Sequence, residues 1–197
     1  CIRDSSHSNA ILSLIDQPNP EKICKHVFGD EMGIVPYIMP GFELAKKASE
    51  VFDKNPNVKG LILLNHGIFT FANNAKESYE RMIKYITKAE KELTKKSKSI
   101  RVSKYDEKKI SISEVSNLIR QQIANKRGDD FERKVVHFNK PKFFDELFSH
   151  PNLKKFTNEG PVTPDHVIRI KSKPLIIDLS KEKSNNLEKF IIQSIDN

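Results

Sequence analysis

Four consecutive apolar residues, Leu61-Ile62-Leu63-Leu64, constrain this chain more than any other feature. They follow Lys59-Gly60 and run into Asn65-His66-Gly67. Strand side chains alternate between faces, so an unbroken apolar strand must be covered on both of them. That requirement favours a layered α/β arrangement, with helices on either side of a sheet. The run is also the longest apolar stretch in the chain and far too short to cross a bilayer, which takes about 20 residues. Gly67 separates it from a second short strand, Ile68 to Phe71.

The neighbouring segments supply the layers. Gly33 to Met39 reads as a strand with Pro36 on an edge or at a bulge. After Pro40-Gly41, the stripe Leu44, Ala45, Ala48, Val51 and Phe52 predicts a helix from Phe42 to Lys54. Asn73 or Asn74 caps a long helix with Glu77 in its first turn, and Tyr79, Met82, Ile83, Ile86 and Leu93 give it one apolar face. Upstream, Asn19-Pro20-Glu21 opens a short helix that Gly29 stops. The strands Gly33–Met39, Lys59–Asn65 and Ile68–Phe71 are expected to share one sheet.

A helix is expected from Ser113 to Ala124, and the texture changes from Arg133 onward. Val135 to Phe138 reads as a short strand, followed by helical pieces near Pro141 to Phe148 and Pro151 to Thr157. Gly160-Pro161-Val162-Thr163-Pro164-Asp165-His166 is rigid turn chemistry. Val167–Ile170 and Leu175–Asp178 read as strands, and the segment from Ser184 suits a helix. There is no internal repeat.

The charge balance of 34 Lys plus Arg against 26 Asp plus Glu gives a net +8, which raises the question of a nucleic-acid partner. Nine basic and four acidic residues lie between Lys88 and Lys109. Tyr105 is the only aromatic there, so the stretch reads as a solvated helix end and loop, not as a stacking surface. No nucleic-acid and no membrane partner is expected. No secretory signal marks the start of the sequence, and two cysteines, Cys1 and Cys24, cannot build a disulfide scaffold. Both features point to a reducing compartment, the cytoplasm. With no initiating Met before Cys1, the chain reads as starting inside a domain.

His66 is the most interesting single residue for chemistry. It follows the apolar strand and precedes Gly67, and strand ends are where α/β sheets place reactive groups. A capped or core histidine remains the alternative. His7, in Asp4-Ser5-Ser6-His7-Ser8-Asn9, and His166, in Thr-Pro-Asp-His, read on their own as surface or capping residues. His26, His137 and His150 have no companions at ligand spacing. Walker, Gly-x-Gly-x-x-Gly, Gly-x-Ser-x-Gly, Cys-x-x-Cys and His-Glu-x-x-His motifs are all absent, and Cys24 sits on a helix where packing is its expected role.

The stretch from Gly33 to Glu90 resembles the second half of a class II aldolase/adducin domain. It is similar in particular to bifunctional rhamnulose-phosphate aldolase/short-chain (alcohol) dehydrogenase proteins. The resemblance rests on Val35-Pro36-Tyr37-Ile38-Met39-Pro40-Gly41, on Asn65 to Phe71, and on Glu77 to Arg81. GPVTPDHVIR, Gly160 to Arg169, resembles a segment between the aldolase and dehydrogenase portions of those proteins.

The resemblance implies an α/β/α three-layer fold with a mainly antiparallel central sheet whose N-terminal part is missing. Residues 1–127 would be the C-terminal part of the aldolase-like domain. Residues 128–197 would be a connecting segment leading toward a dehydrogenase domain that is not present. The family binds a divalent metal, usually zinc, through a His-x-His and a later His-Gly. His66 takes the third role and His7 the second, while Ser5 stands where the first histidine would be, with Asp4 beside it. The catalytic glutamate and the phosphate-binding loop would lie upstream of Cys1, and an NAD(P) site downstream of Asn197. The implied activity is that of a lyase in carbohydrate metabolism, a retro-aldol cleavage of a ketose or ketose phosphate by a homo-oligomer. A catalytically silent binding or scaffold module, and an epimerase or dehydratase on the same fold, are the alternatives.

Overall fold

The computed structural model describes residues 2–97, 111–124, 134–139, 144–148, 150–179 and 186–196. Among them the order is β1 (Ile2–Ser6), α1 (Asn9–Ile15), α2 (Pro20–Phe28), a 3-10 turn (Gly29–Glu31), β2 (Met32–Val35) and α3 (Phe42–Lys54). Then come β3 (Gly60–Leu63), β4 (Gly67–Ala72), α4 (Ala75–Lys96), α5 (Ile112–Ala124), α6 (Phe144–Phe148), α7 (Leu153–Asn158), α8 (Pro164–Arg169) and α9 (Leu187–Asp196). The expected boundary near residue 127, Cys1, Tyr105 with most of the basic stretch, Pro141 and Ser184 lie outside the described residues.

The chain divides into two compact units, Cys1–Lys98 with Pro161–Ser172, and Ser99–Gly160 with Lys173–Asn197. In the first, four strands form one sheet in the order β1-β4-β3-β2. The β1–β4 and β3–β4 ladders are antiparallel and β2–β3 is parallel, so the sheet is mixed. Alternation along β3 explains the layers. Ile62 and Leu64 point into a core with Ile11, Leu12 and Ile15 of α1, Phe28 of α2, and Met82 and Tyr85 of α4. Leu61 and Leu63 point the other way, into a smaller core with Val35, Leu44, Val51, Phe52 and Phe69. Helices α1, α2 and α4 therefore cover one face and α3 the other, as the α/β/α expectation required.

Local chemistry sets the ends of these elements. Asn74 accepts the Glu77 N–H at 2.9 Å and starts α4, while Lys95 and Lys96 occupy its last turn, where positive charge complements the helix dipole. Gly29, at φ 63°, ends α2 in a conformation that favours glycine. The strand expected to reach Met39 stops at Val35, because Pro36 has no N–H to give to a ladder.

Within the second unit α5 and α9 pack together, and Ile191 of α9 is fully buried. Three expected strands are corrected. Residues 134–139 form no regular element, and Val135 is exposed, with no sheet face to bury it. Val167–Ile170 falls in α8 and the turn after it, since Thr163 caps the His166 N–H at 3.2 Å and Pro164 pre-sets the first helical turn. Leu175–Asp178 is irregular.

Candidate functional site

The site lies where β1 ends and the β3–β4 turn closes, within the first unit. Ser6 pairs with Ile68, so the chain delivers His7 beside Gly67 as it leaves the strand for α1. A Cβ on Gly67 would sit 2.4 Å from the Ser6 carbonyl oxygen and 3.2 Å from Cδ2 of His7. Only a glycine leaves room for that approach. His66 precedes it in the turn, and its ring centroid lies 5.1 Å from that of His7, with the planes at 63°. The two histidines paired on resemblance thus stand side by side.

The turn that carries His66 is fixed from three directions. The His66 N–H donates to the Leu63 carbonyl at 3.1 Å. Asn65 takes a left-handed φ of 55°, which asparagine tolerates better than most residues. Its amide donates to Asp16 Oδ1, just past α1, at 3.0 Å. Burial pushes the Asp16 carboxyl above the usual carboxylate range, and the Asn65 hydrogen bond opposes that shift. Burial also holds the His66 imidazole below the ordinary histidine value, and the neighbouring His7 adds to it. Both effects favour the neutral form of the ring, the one that binds metals.

Asp165 completes the described cluster. Its Oδ2 lies 2.9 Å from Nδ1 of His7, and that hydrogen bond holds its carboxyl below the usual range. The motif that carries Asp165 is rigid: Thr163 is buried, Pro164 opens α8, and the Thr163 hydroxyl is hydrogen-bonded to Nδ1 of His166. Sequence reasoning singled out His166 in this motif, yet the residue that reaches the histidine pair is its neighbour. The polar Thr-Pro-Asp-His run was the only signal, since no periodicity reports a contact across 158 positions.

As a place for a divalent metal, the pair offers two imidazoles. Among the described residues no third His, Cys, Asp or Glu joins them in a metal-holding group. Ser5 is exposed. Asp4 pairs with Thr70 while Ser5 pairs with Phe69, which puts Asp4 on the opposite sheet face from Ser5, and its Oδ2 is buried without a hydrogen-bond partner. The described residues thus supply two of the donors that a divalent cation needs.

The other candidates are structural. His26 lies 3.7 Å from Glu92, and Nδ1 of His150 accepts the Asn152 N–H at 3.0 Å. Cys24 is a buried free thiol, with its pKa pushed up to about 11 by burial, which favours the unreactive thiol form. Among the described residues no helix is long and apolar enough to cross a membrane.

Comparison with known proteins adds three findings. The family model "Class II Aldolase and Adducin N-terminal domain" matches residues 5–93, and "Aldolase class II, second domain" matches residues 111–197. A Bacillus subtilis (strain 168) protein named "Uncharacterized oxidoreductase YuxG" is 24% identical over 187 residues, 91% of this chain and 26% of that protein. The chain thus spans about a quarter of that relative's length. A solved N-terminal class II aldolase domain of a conserved protein from Thermoplasma acidophilum is 35% identical, with a TM-score of 0.41. That match covers 46% of this chain and 41% of the solved one.

Proposed function

The chain belongs to the class II aldolase/adducin family, and from that premise we propose that it is the aldolase portion of a fused sugar aldolase/dehydrogenase, cleaving a ketose or ketose phosphate with the help of a divalent cation. The observation that carries the reading is the juxtaposition of His7 and His66 at 5.1 Å between ring centroids. Nothing in the local sequence brings those two rings together. The name of the Bacillus subtilis relative, an oxidoreductase of which this chain matches 26%, supports the fused arrangement, in which NAD(P) would serve the other portion.

In this reading His7 and His66 hold the cation, zinc in the first instance, through neutral ring nitrogens. When bound, the cation would supply Lewis-acid polarisation of the ketose oxygens during carbon–carbon cleavage. The residues of this chain prepare the place. Gly67 lets the His7 ring approach, Asn65 and Asp16 fix the turn under His66, and burial favours the neutral form of His66. The proposed working form is a homo-oligomer. The buried free Cys24 accords with the reducing cytoplasm as its compartment.

Calorimetric titration of the full chain with zinc, manganese and cobalt tests this, alongside aldehyde release from phosphorylated and unphosphorylated ketoses. Binding that disappears in both His7→Ala and His66→Ala is the expected result. A second reading, a silent binding or scaffold module, is favoured by Ser5 at the position where the family's first metal histidine belongs. A folded chain that takes up none of the three metals would establish that second reading over the first.

A further inference from the structure

We propose that Asp165 is the positioning residue of the histidine pair: it holds the proton of neutral His7 on Nδ1, so that Nε2 is the nitrogen left for a ligand. The inference deepens the metal reading above and rests on it for the purpose the tautomer serves.

The argument begins with the carboxylate. An ionised carboxylate only accepts hydrogen bonds, so the 2.9 Å contact requires His7 Nδ1 to be the donor. In a neutral imidazole that leaves Nε2 bare. An exposed pair of this kind would ordinarily contribute little, and the Asp165 side chain is 58% exposed. Two features set it apart from a chance surface contact. Asp165 stands in the first turn of α8, whose start is fixed by Pro164 and by the buried Thr163. Its partner is the same ring that packs edge-on against His66. A ligating histidine commonly gives its second ring N–H to such a carboxylate, which sets both tautomer and ring orientation. The arrangement also gives the Thr-Pro-Asp-His motif a role that its turn chemistry alone does not explain.

Long-range 15N–1H spectra of the metal-free full chain read the tautomer of each histidine directly. The expected result is an Nδ1–H tautomer for His7 in the wild type, lost in Asp165→Ala. The tautomer of His66, which Asp165 does not contact, should stay unchanged in that variant. Zinc affinity of the Asp165→Ala variant should fall about 10- to 100-fold. An Nε2–H tautomer in the wild type, or an unchanged His7 tautomer in Asp165→Ala, overturns the proposal. If the tautomer switches as expected while the wild type binds no metal, the positioning role stands and the metal reading fails. If zinc binds and Asp165→Ala changes neither tautomer nor affinity, the metal reading stands and the positioning role fails.

Discussion

Thr70 and Ser78 exchange hydrogen bonds in the interior of the first unit. The Thr70 hydroxyl donates to the Ser78 carbonyl at 2.9 Å, and the Ser78 hydroxyl donates to the Thr70 carbonyl at 3.2 Å. Both residues are fully buried, so neither hydroxyl has water to fall back on. The pair fastens α4 to the middle of β4, the strand that begins with Gly67. Thr70→Val and Ser78→Ala are each expected to lower stability by about 1 kcal/mol. Urea denaturation checks this; no change in either midpoint would show that the two bonds contribute nothing.

Gly67 carries a sharper expectation. Gly67→Ala places a methyl 2.4 Å from the Ser6 carbonyl oxygen, a separation that backbone must move to relieve. A cost of about 1–3 kcal/mol is expected, as for other overpacked sites. Displacement of His7 should weaken zinc binding in the same variant. Denaturant midpoint and calorimetric titration together check both halves.

Leu63 is almost fully buried in the α3-side core, with Val35 and Leu44 in the same cluster. Leu63→Asp puts an unpaired carboxylate there, at a cost of several kcal/mol or more. No cooperative thermal transition is the expected result. A soluble variant with a sharp transition would contradict the placement of β3.

Acid should loosen one clamp on α4. Glu31 sits between Lys84 at 2.8 Å and Lys88 at 2.6 Å, and hydrogen bonds to those two ammonium groups bring its carboxyl down to about 2. A depressed carboxyl stabilises the fold when ionised. Its contribution is complete above its ordinary pKa near 4.5 and disappears as pH falls toward 2. The carboxylate is 40% exposed, so solvent screening keeps the effect to about 1 kcal/mol or less. Denaturation at pH 7 and pH 3 should show the gap between wild type and Glu31→Gln narrowing with acid.

The elements legible in the sequence were those whose signals are local. The Leu61–Leu64 run, the Phe42–Lys54 stripe and the Asn74 cap each report their structure within a few residues, and the strand and helices appear where they were expected. The α8 segment was misread because Val167 and Ile170 suggest a strand, whereas its fate is decided by Thr163 and Pro164 upstream. The local sequence does not mark β1, since Arg3-Asp4-Ser5-Ser6 has no apolar alternation. It becomes a strand because β4 pairs with it from 62 to 70 positions downstream, Ser6 to Ile68 and Ile2 to Ala72 among them. His7 and His66 were paired by resemblance. Asp165 escaped notice because no pattern in one dimension marks a hydrogen bond that closes so long a loop.

That long loop bears on the order in which the protein assembles during synthesis. The sheet and the helices on its two faces are drawn from residues 2–97, so the pairing that seats His7 beside His66 uses only the first half of the chain. Asp165 emerges later, and closing so distant a contact costs entropy that nearer contacts do not. Until Asp165 has been synthesised, His7 has no such carboxylate to bond to. The Thr-Pro-Asp-His segment supplies the last of these side chains to be synthesised, on a first turn capped by Thr163.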